Sequence, residues 1–223
     1  MTRMATLLLL AGCLACGRAP ATTPAPQTID PSLEAWAADT TAITEPMQVV
    51  FDWNLRDRDA RFSGQGVARI EQNRARVDLF GPRGEGYLSA VLDGFQLSLS
   101  SGSPENVPLP PPALFWSVLG VFRAPPGASL VSAVRDGNEV ELSYAASSDR
   151  WRFRFENDDL RHAEWTGSAE GRRTVELDAP NGDGLPAGAI YRDWPAFLEL
   201  RLTPTETRKV NGFPGEIWTL RRR

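Results

Sequence analysis

The chain has 223 residues, 24 Lys+Arg against 28 Asp+Glu for a formal net charge of −4, and is 42% hydrophobic and 23% charged. That length suits one β-rich domain, and a charge balance without a clustered basic surplus excludes the usual signature of a nucleic-acid binder. The 18 prolines and 19 glycines fit short strands joined by many turns.

Residues 1–12 read as a targeting segment. Arg3 supplies a short positive region, and Leu7 to Leu10 form an apolar run too short to span a bilayer. The run ends at Leu10-Ala11-Gly12-Cys13, which resembles the lipobox of bacterial lipoproteins. In that class the cut leaves the cysteine as residue one, and it is lipid-modified. Cys16, after Leu14-Ala15, is the alternative lipidation site; an ordinary cleaved signal with two incidental cysteines is the plainer reading. These are the only cysteines, so the folded part is expected to hold no disulfide and no thiolate metal site. Residues 13–30 read as lipidated anchor and linker, because Gly17 to Asp30 is rich in Pro, Ala and Thr and would hold the folded domain, 31–223, off the membrane.

Pro31 to Ala38 reads as a short helix or as a loop with one buried tryptophan, since Leu33, Trp36 and Ala37 share a face at helical spacing. Strand signals follow. Val49, Phe51, Trp53 and Leu55 alternate with polar residues, and Arg61 to Glu71 places Phe62, Gly64, Gly66, Ala68 and Ile70 on one face. Glycines on the inner face of a strand mark a bend, a bulge or a close approach. Arg74 to Ser100 then reads as a three-strand meander: Val77 and Leu79, the turn Gly81-Pro82-Arg83-Gly84, then Leu88, Ala90 and Leu92, the turn Asp93-Gly94, then Phe95, Leu97 and Leu99. Five consecutive strands favour an up-and-down antiparallel sheet.

The proline-rich stretch Ser101 to Pro112 breaks the pattern. Ala113 to Phe122 is nearly all apolar and reads as one buried helix, started by Pro112 and stopped by Pro125-Pro126-Gly127. It suits a plug on the concave face of a curved sheet or an ordinary core helix equally. Strand signals resume at 129–134, 139–144, 151–155, 160–166, 174–177, 197–202 and 217–220, with a glycine-rich break at 180–188. The total is ten to twelve strands by alternation and turn signals.

Two blocks carry a family resemblance. Arg74 to Gly84 resembles the strand and Pro-x-Gly hairpin of the LolA/LolB family of outer-membrane lipoprotein-sorting proteins, and Leu114-Phe115-Trp116-Ser117-Val118-Leu119-Gly120 resembles its helix with a Trp and a Leu-Gly end. The LolB branch is the closer. The resemblance implies a mainly β fold: a single antiparallel, strongly curved half-barrel of about eleven strands, with a short apolar helix over the concave face. It implies a cavity for acyl chains of lipoproteins, the partners being lipoproteins or other acylated or amphiphilic ligands, together with the membrane through the N-terminal lipid. Localisation would be the cell envelope, at the outer membrane and facing the periplasm. The LolB branch carries an exposed leucine at the hairpin tip; here that position, between Pro82 and Gly84, is Arg83.

The expected ligand-binding residues are Phe51, Trp53, Val77, Leu79, Leu88, Ala90, Phe95, Leu97, Phe115, Trp116 and Leu119. Each acyl CH₂ moved into such a cavity contributes about 0.8 kcal/mol, so binding needs few polar contacts. No catalytic residue, cofactor or metal site is expected: His162 is the single histidine, and no nucleophile elbow, metal-spaced His pair or phosphate loop is present. Asp57, Asp59, Asp158 and Asp159 read as solvated turn residues, and Arg221 to Arg223 as a solvated tail. A monomer is expected. The competing reading keeps the same half-barrel but fills its interior with aromatic side chains, leaving an interaction lipoprotein with no ligand.

Overall fold

The structure, a computed structural model, describes residues 29–100, 109–167, 171–182 and 184–220. Cys13, Cys16, most of the linker, the start of the proline-rich break and Arg221 to Arg223 lie outside the described residues.

Twelve strands form one antiparallel sheet. The first five are β1 Met47–Arg56, β2 Arg61–Glu71, β3 Arg74–Phe80, β4 Gly86–Asp93 and β5 Gln96–Leu99. The remainder are β6 Ser129–Asp136, β7 Glu139–Ala146, β8 Asp149–Glu156, β9 Asp159–Gly167, β10 Gly171–Leu177, β11 Ala189–Asp193 and β12 Leu198–Lys209. The spatial order is β5-β4-β3-β2-β1-β12-β11-β10-β9-β8-β7-β6. Apart from β5 and β6, neighbours in the chain are neighbours in the sheet, and the first strand also pairs with the last, from Met47↔Lys209 to Arg56↔Glu199. Two meanders are thus joined along β1 and β12, and the sheet stays open between β5 and β6. It is a half-barrel in the expected sense, with twelve strands rather than eleven.

The connection from β5 to β6 carries helix α2, Pro112–Val118. Proline at its first position loses no helical hydrogen bond there. The helix ends four residues before the expected Phe122, because Gly120 closes it in the left-handed region at φ +79°. Val121 N donates to the Trp116 carbonyl at 3.0 Å and Gly120 N to that of Ser117 at 2.9 Å, the two bonds of a Schellman cap. Val121 and Phe122 continue as buried, non-helical chain. Ala113 to Ser117 are all buried, and α2 lies closest to β9, β10 and β11.

Pro31 to Ala38 is helical: α1 spans Ser32–Thr40 and buries Leu33 and Ala37. Trp36 packs edge-on against Phe155 at 5.3 Å. Thr41 Oγ1 donates to the Ala37 carbonyl and accepts from Phe122 N at 2.9 Å, which ties α1 to the exit of α2.

Two strand assignments differ from expectation. Residues 217–220 do not pair; Gly215–Trp218 is a 3₁₀ turn. Arg76 donates to the Ile217 carbonyl at 2.6 Å and the Arg74 guanidinium lies 4.8 Å from the Trp218 ring, so this apolar segment covers the outside of β3. It shelters Asp78, which accepts from Arg69, Arg76 and Ser89. Conversely, β11 carried no expected strand. Its inward residues are Ala189, Tyr191 and Asp193, a small residue, a phenol and a carboxylate, which do not read as an apolar face.

Candidate functional site

The concave face meets α2 along an apolar seam. On the sheet side β1 presents Phe51, Trp53 and Leu55, β3 presents Val77 and Leu79, and β4 presents Leu88 and Ala90, all buried. The period of two puts every second residue of these strands inside, and α2 sits over the other half of the sheet, so a gap is left. One cavity of about 50 Å³ is lined by Trp53, Leu55, Val77, Leu79, Tyr87, Leu88, Ala90, Leu109, Pro110, Phe115, Val118, Leu119, Leu200 and Leu202. A second, of about 40 Å³, continues along the sheet between Phe51, Ala68, Ile70, Leu185 and Pro186 and shares Val118, Leu119 and Leu202 with the first. Those three side chains therefore divide one seam into two voids.

Of the eleven expected ligand-binding residues, Trp53, Val77, Leu79, Leu88, Ala90, Phe115 and Leu119 line the first void, while Phe51 and Leu119 line the second. Trp116, Phe95 and Leu97 line neither. Trp116 is wholly buried, its indole N–H donating to the Gly94 carbonyl at 2.7 Å, so it anchors α2 to the β4–β5 turn. Phe95 and Leu97 are half-buried on that turn and on edge strand β5.

The floor of the first void is held rigidly. Trp53 Nε1 donates to the carbonyls of Gln65 at 3.1 Å and Phe80 at 3.0 Å, spanning from β1 to β3. The β3–β4 ladder shifts register between Leu79 and Phe80. Gly64 leaves room for the Phe80 carbonyl, since a Cβ there would lie 1.9 Å from that oxygen; at Gly66 a Cβ would meet the Phe51 ring at 2.4 Å. The close approach implied by these two glycines is made by the chain's own Phe80 and Phe51. Phe62, expected inside, stands 41% exposed at the rim, 5.8 Å from Tyr87, which in turn lies 5.1 Å from Trp53. The seam meets solvent at that rim, among Tyr87, Leu109 and Leu200, all half-buried.

The hairpin tip stands at the same end of the sheet, because Phe80 pairs with Gln65 near the start of β2. Gly84 N donates to the Gly81 carbonyl at 3.0 Å, with Gly84 at φ +80°. Pro82, Arg83 and Gly84 are exposed.

The titratable groups singled out in the sequence are dispersed. His162 is half-buried on β9 with Glu164 at 3.7 Å. Burial and the Arg154 charge hold it below its ordinary value, against the opposing pull of Glu164 and Glu176. Asp158 and Asp159 border a polar cleft of about 200 Å³ at the other end of the sheet, with Glu45, Asp178 and Lys209; burial raises Asp159. Asp57 and Asp59 stand in the β1–β2 turn, where Asp57 accepts from Asp59 N and Ala60 N. Among the described residues, no group of three or more His, Cys, Asp or Glu could hold a metal ion, and no helix is long and apolar enough to cross a membrane.

No protein-family model matches the chain, and no characterised protein matches it in sequence. Solved structures do. An outer membrane lipoprotein-sorting protein domain from Vibrio parahaemolyticus is similar at 6% identity and TM-score 0.49, over 84% of this chain and 94% of that one. A DUF1329 family protein from Desulfovibrio piger is similar at 7% identity and TM-score 0.49, over 83% and 95%. A chain of the Pseudomonas aeruginosa MucA/MucB complex is similar at 14% identity and TM-score 0.34, over 84% of this chain and 59% of that one.

Proposed function

We infer that this chain is a lipid-anchored envelope protein whose concave seam takes acyl chains of lipoproteins or of other amphiphiles. Residues 1–12 act as the signal, Cys13 (or Cys16) carries the lipid, and the domain from 31 onward is the binding unit. The observation that supports this most is the continuous apolar lining between α2 and β1, β3 and β4. An acyl chain in such a seam exchanges water for side chains at about 0.8 kcal/mol per CH₂ and asks for no polar partner. In the closed form the two voids total far less than the several hundred Å³ of a ligand site, so binding requires Val118 and Leu119 to move off the sheet.

The same small volumes favour a second reading, a protein-interaction lipoprotein with a filled core, in which α2 never moves. Native mass spectrometry of the full chain purified from bacterial membranes, with titration by a fluorescent fatty-acyl probe, separates the two. On the carrier reading lipid co-purifies, the probe binds and is displaced by acylated peptide, and Ala90→Leu, which fills the first void, lowers probe affinity at least tenfold with the melting temperature held. A clean apo mass with no probe uptake leaves the interaction reading.

A further inference from the structure

We propose that the end of the sheet bearing the β11–β12 turn is a docking surface for a bilayer carrying anionic headgroups, with Trp194 and Phe197 as the inserted side chains. Trp194 is 50% exposed and Phe197 62%, the largest exposures among the large hydrophobic residues described. The turn that carries them is built rather than frayed. Buried Asp193 pairs with Arg173 at 2.7 Å and accepts from Ala196 N at 3.2 Å; Trp194 N donates to the Arg172 carbonyl at 3.1 Å. Gly171, where a Cβ would lie 2.4 Å from Pro195 Cγ, lets the turn settle against β10. Phe197 itself sits at φ +54°. That backbone region is costly for a bulky L-residue, so a rigid turn holds an aromatic ring out against local strain.

Charge says what covers it. The Arg58 guanidinium lies 4.2 Å from the Phe197 ring centroid; that of Arg172, which pairs with Glu164 at 2.6 Å, lies 5.8 Å from Trp194. Tryptophan beside arginine is the pairing that suits the headgroup region, where the ring enters the acyl boundary and the guanidinium meets phosphate. The same end bears Arg56, Arg61 and Arg83. That end also carries the carboxylates Asp57, Asp59, Glu85 and Asp149, of which Asp57 and Glu85 accept from Ala60 N and Arg83 N. The opposite end bears Asp136, Asp158, Asp159, Asp178 and Glu45 together with the cations Arg74, Arg135 and Lys209. What suits an anionic surface is local: exposed Arg58, Arg61 and Arg83 stand at the same end of the sheet as the aromatic turn. The register places the seam's rim there too, since Leu55 faces Phe62 and Leu200, and Asp193 faces Leu198.

The test is flotation of the full chain with vesicles, Cys13 and Cys16 replaced by Ser so that no lipid is attached. Vesicles are phosphatidylcholine alone or phosphatidylcholine doped with phosphatidylglycerol. The expected result is binding to the anionic vesicles that falls at least tenfold in W194S/F197S, and a fall in R58Q/R61Q seen only on the anionic ones. Melting temperatures of all variants are expected to match the parent, because the changed side chains are on the surface. Absence of binding to anionic vesicles, binding that ignores W194S/F197S, or equal binding to neutral vesicles overturns the proposal. It does not rest on the seam holding an acyl chain: a chain that takes up no acyl probe yet floats with anionic vesicles sinks the carrier reading and leaves this one standing, so the two readings fail separately.

Discussion

At the scale of single residues, tryptophan and glycine are matched to each other's needs. Trp53 buries its ring and must satisfy its N–H, and it does so on two main-chain carbonyls exposed by a register shift and by the missing Cβ of Gly64. Gly64→Ala is therefore expected to destabilise the domain by about 1–3 kcal/mol, the range for forced overpacking, read from urea unfolding. Gly86→Ala, where a Cβ meets nothing within 4 Å, is the control and is expected to stay within about 0.5 kcal/mol. Equal effects at the two glycines would sink the account. His162 supplies a pH-dependent counterpart. Its folded-state value lies below its ordinary 6.5, so just below that pH the unfolded chain binds more protons than the folded one. Stability is then full above pH 6.5 and declines as pH falls toward the lower folded value. His162→Gln is expected to flatten the part of the melting-temperature profile just below pH 6.5; an unchanged slope would mean that carboxylates set it. Asp78 acts lower on the scale. Burial alone would raise it, but hydrogen bonds from Arg76 and Ser89 and the charges of Arg76 and Arg69 outweigh burial and hold it below 3.8. Its contribution is therefore lost only as pH falls below that value.

At the scale of elements, α2 is a wedge anchored through its C-terminal turn. Trp116 ties it to the β4–β5 turn, and the Gly120 cap turns the chain against Pro186. Val118 and Leu119 are the helix-side residues that separate the two voids. Leu119→Ala is expected to cost about 2–5 kcal/mol, the usual range for a buried leucine, and to raise affinity for a fluorescent acyl probe by merging the voids. A destabilised variant with unchanged probe affinity would place the gate elsewhere. Gly120→Ala is expected to destabilise too, since φ +79° opposes a side chain and Pro186 Cδ lies only 2.6 Å from where its Cβ would stand. The edge strands differ from the interior ones in the same way. β5 is short and leaves Leu99 exposed, and β6 exposes Val131 and Val134, whereas β1 is paired along its whole length on both sides.

For the whole molecule, that difference sets where the sheet opens. Strands β1 and β12 form the joint between the two meanders, with β2 beside it, and β5 and β6 are the open edges. Amide hydrogen exchange is expected to be slowest in β1, β2 and β12 and fastest in β5 and β6. Uniform protection across the sheet would argue that its two open edges are no weaker than the joint. The seam's rim and the aromatic turn lie at the same end of the sheet and give the fold a direction.

Much of this is legible in the amino-acid sequence. Alternation at Val49 to Leu55, at Val77 and Leu79 and at Leu88 to Leu92 marks an inner face because backbone pleating leaves no other period. The meander order follows from turns too short for any crossover. The apolar run after Pro112 marks a buried helix because no solvent-facing stripe is left on it. What alternation does not say is what an inward residue touches: Trp116 and Leu119 look alike in sequence, yet one is spent on the Gly94 carbonyl and the other borders a void. Nor does it place β11, whose inward Asp193 is tolerated only because Arg173 stands across the ladder, or the segment at 217–220, which packs flat on β3 instead of joining it. Local pattern decides which face of a strand is buried, since that depends on neighbours along the chain. Whether the buried space is filled, and which turns share an end, depends on residues brought together from both meanders, and only their closure along β1 and β12 decides it.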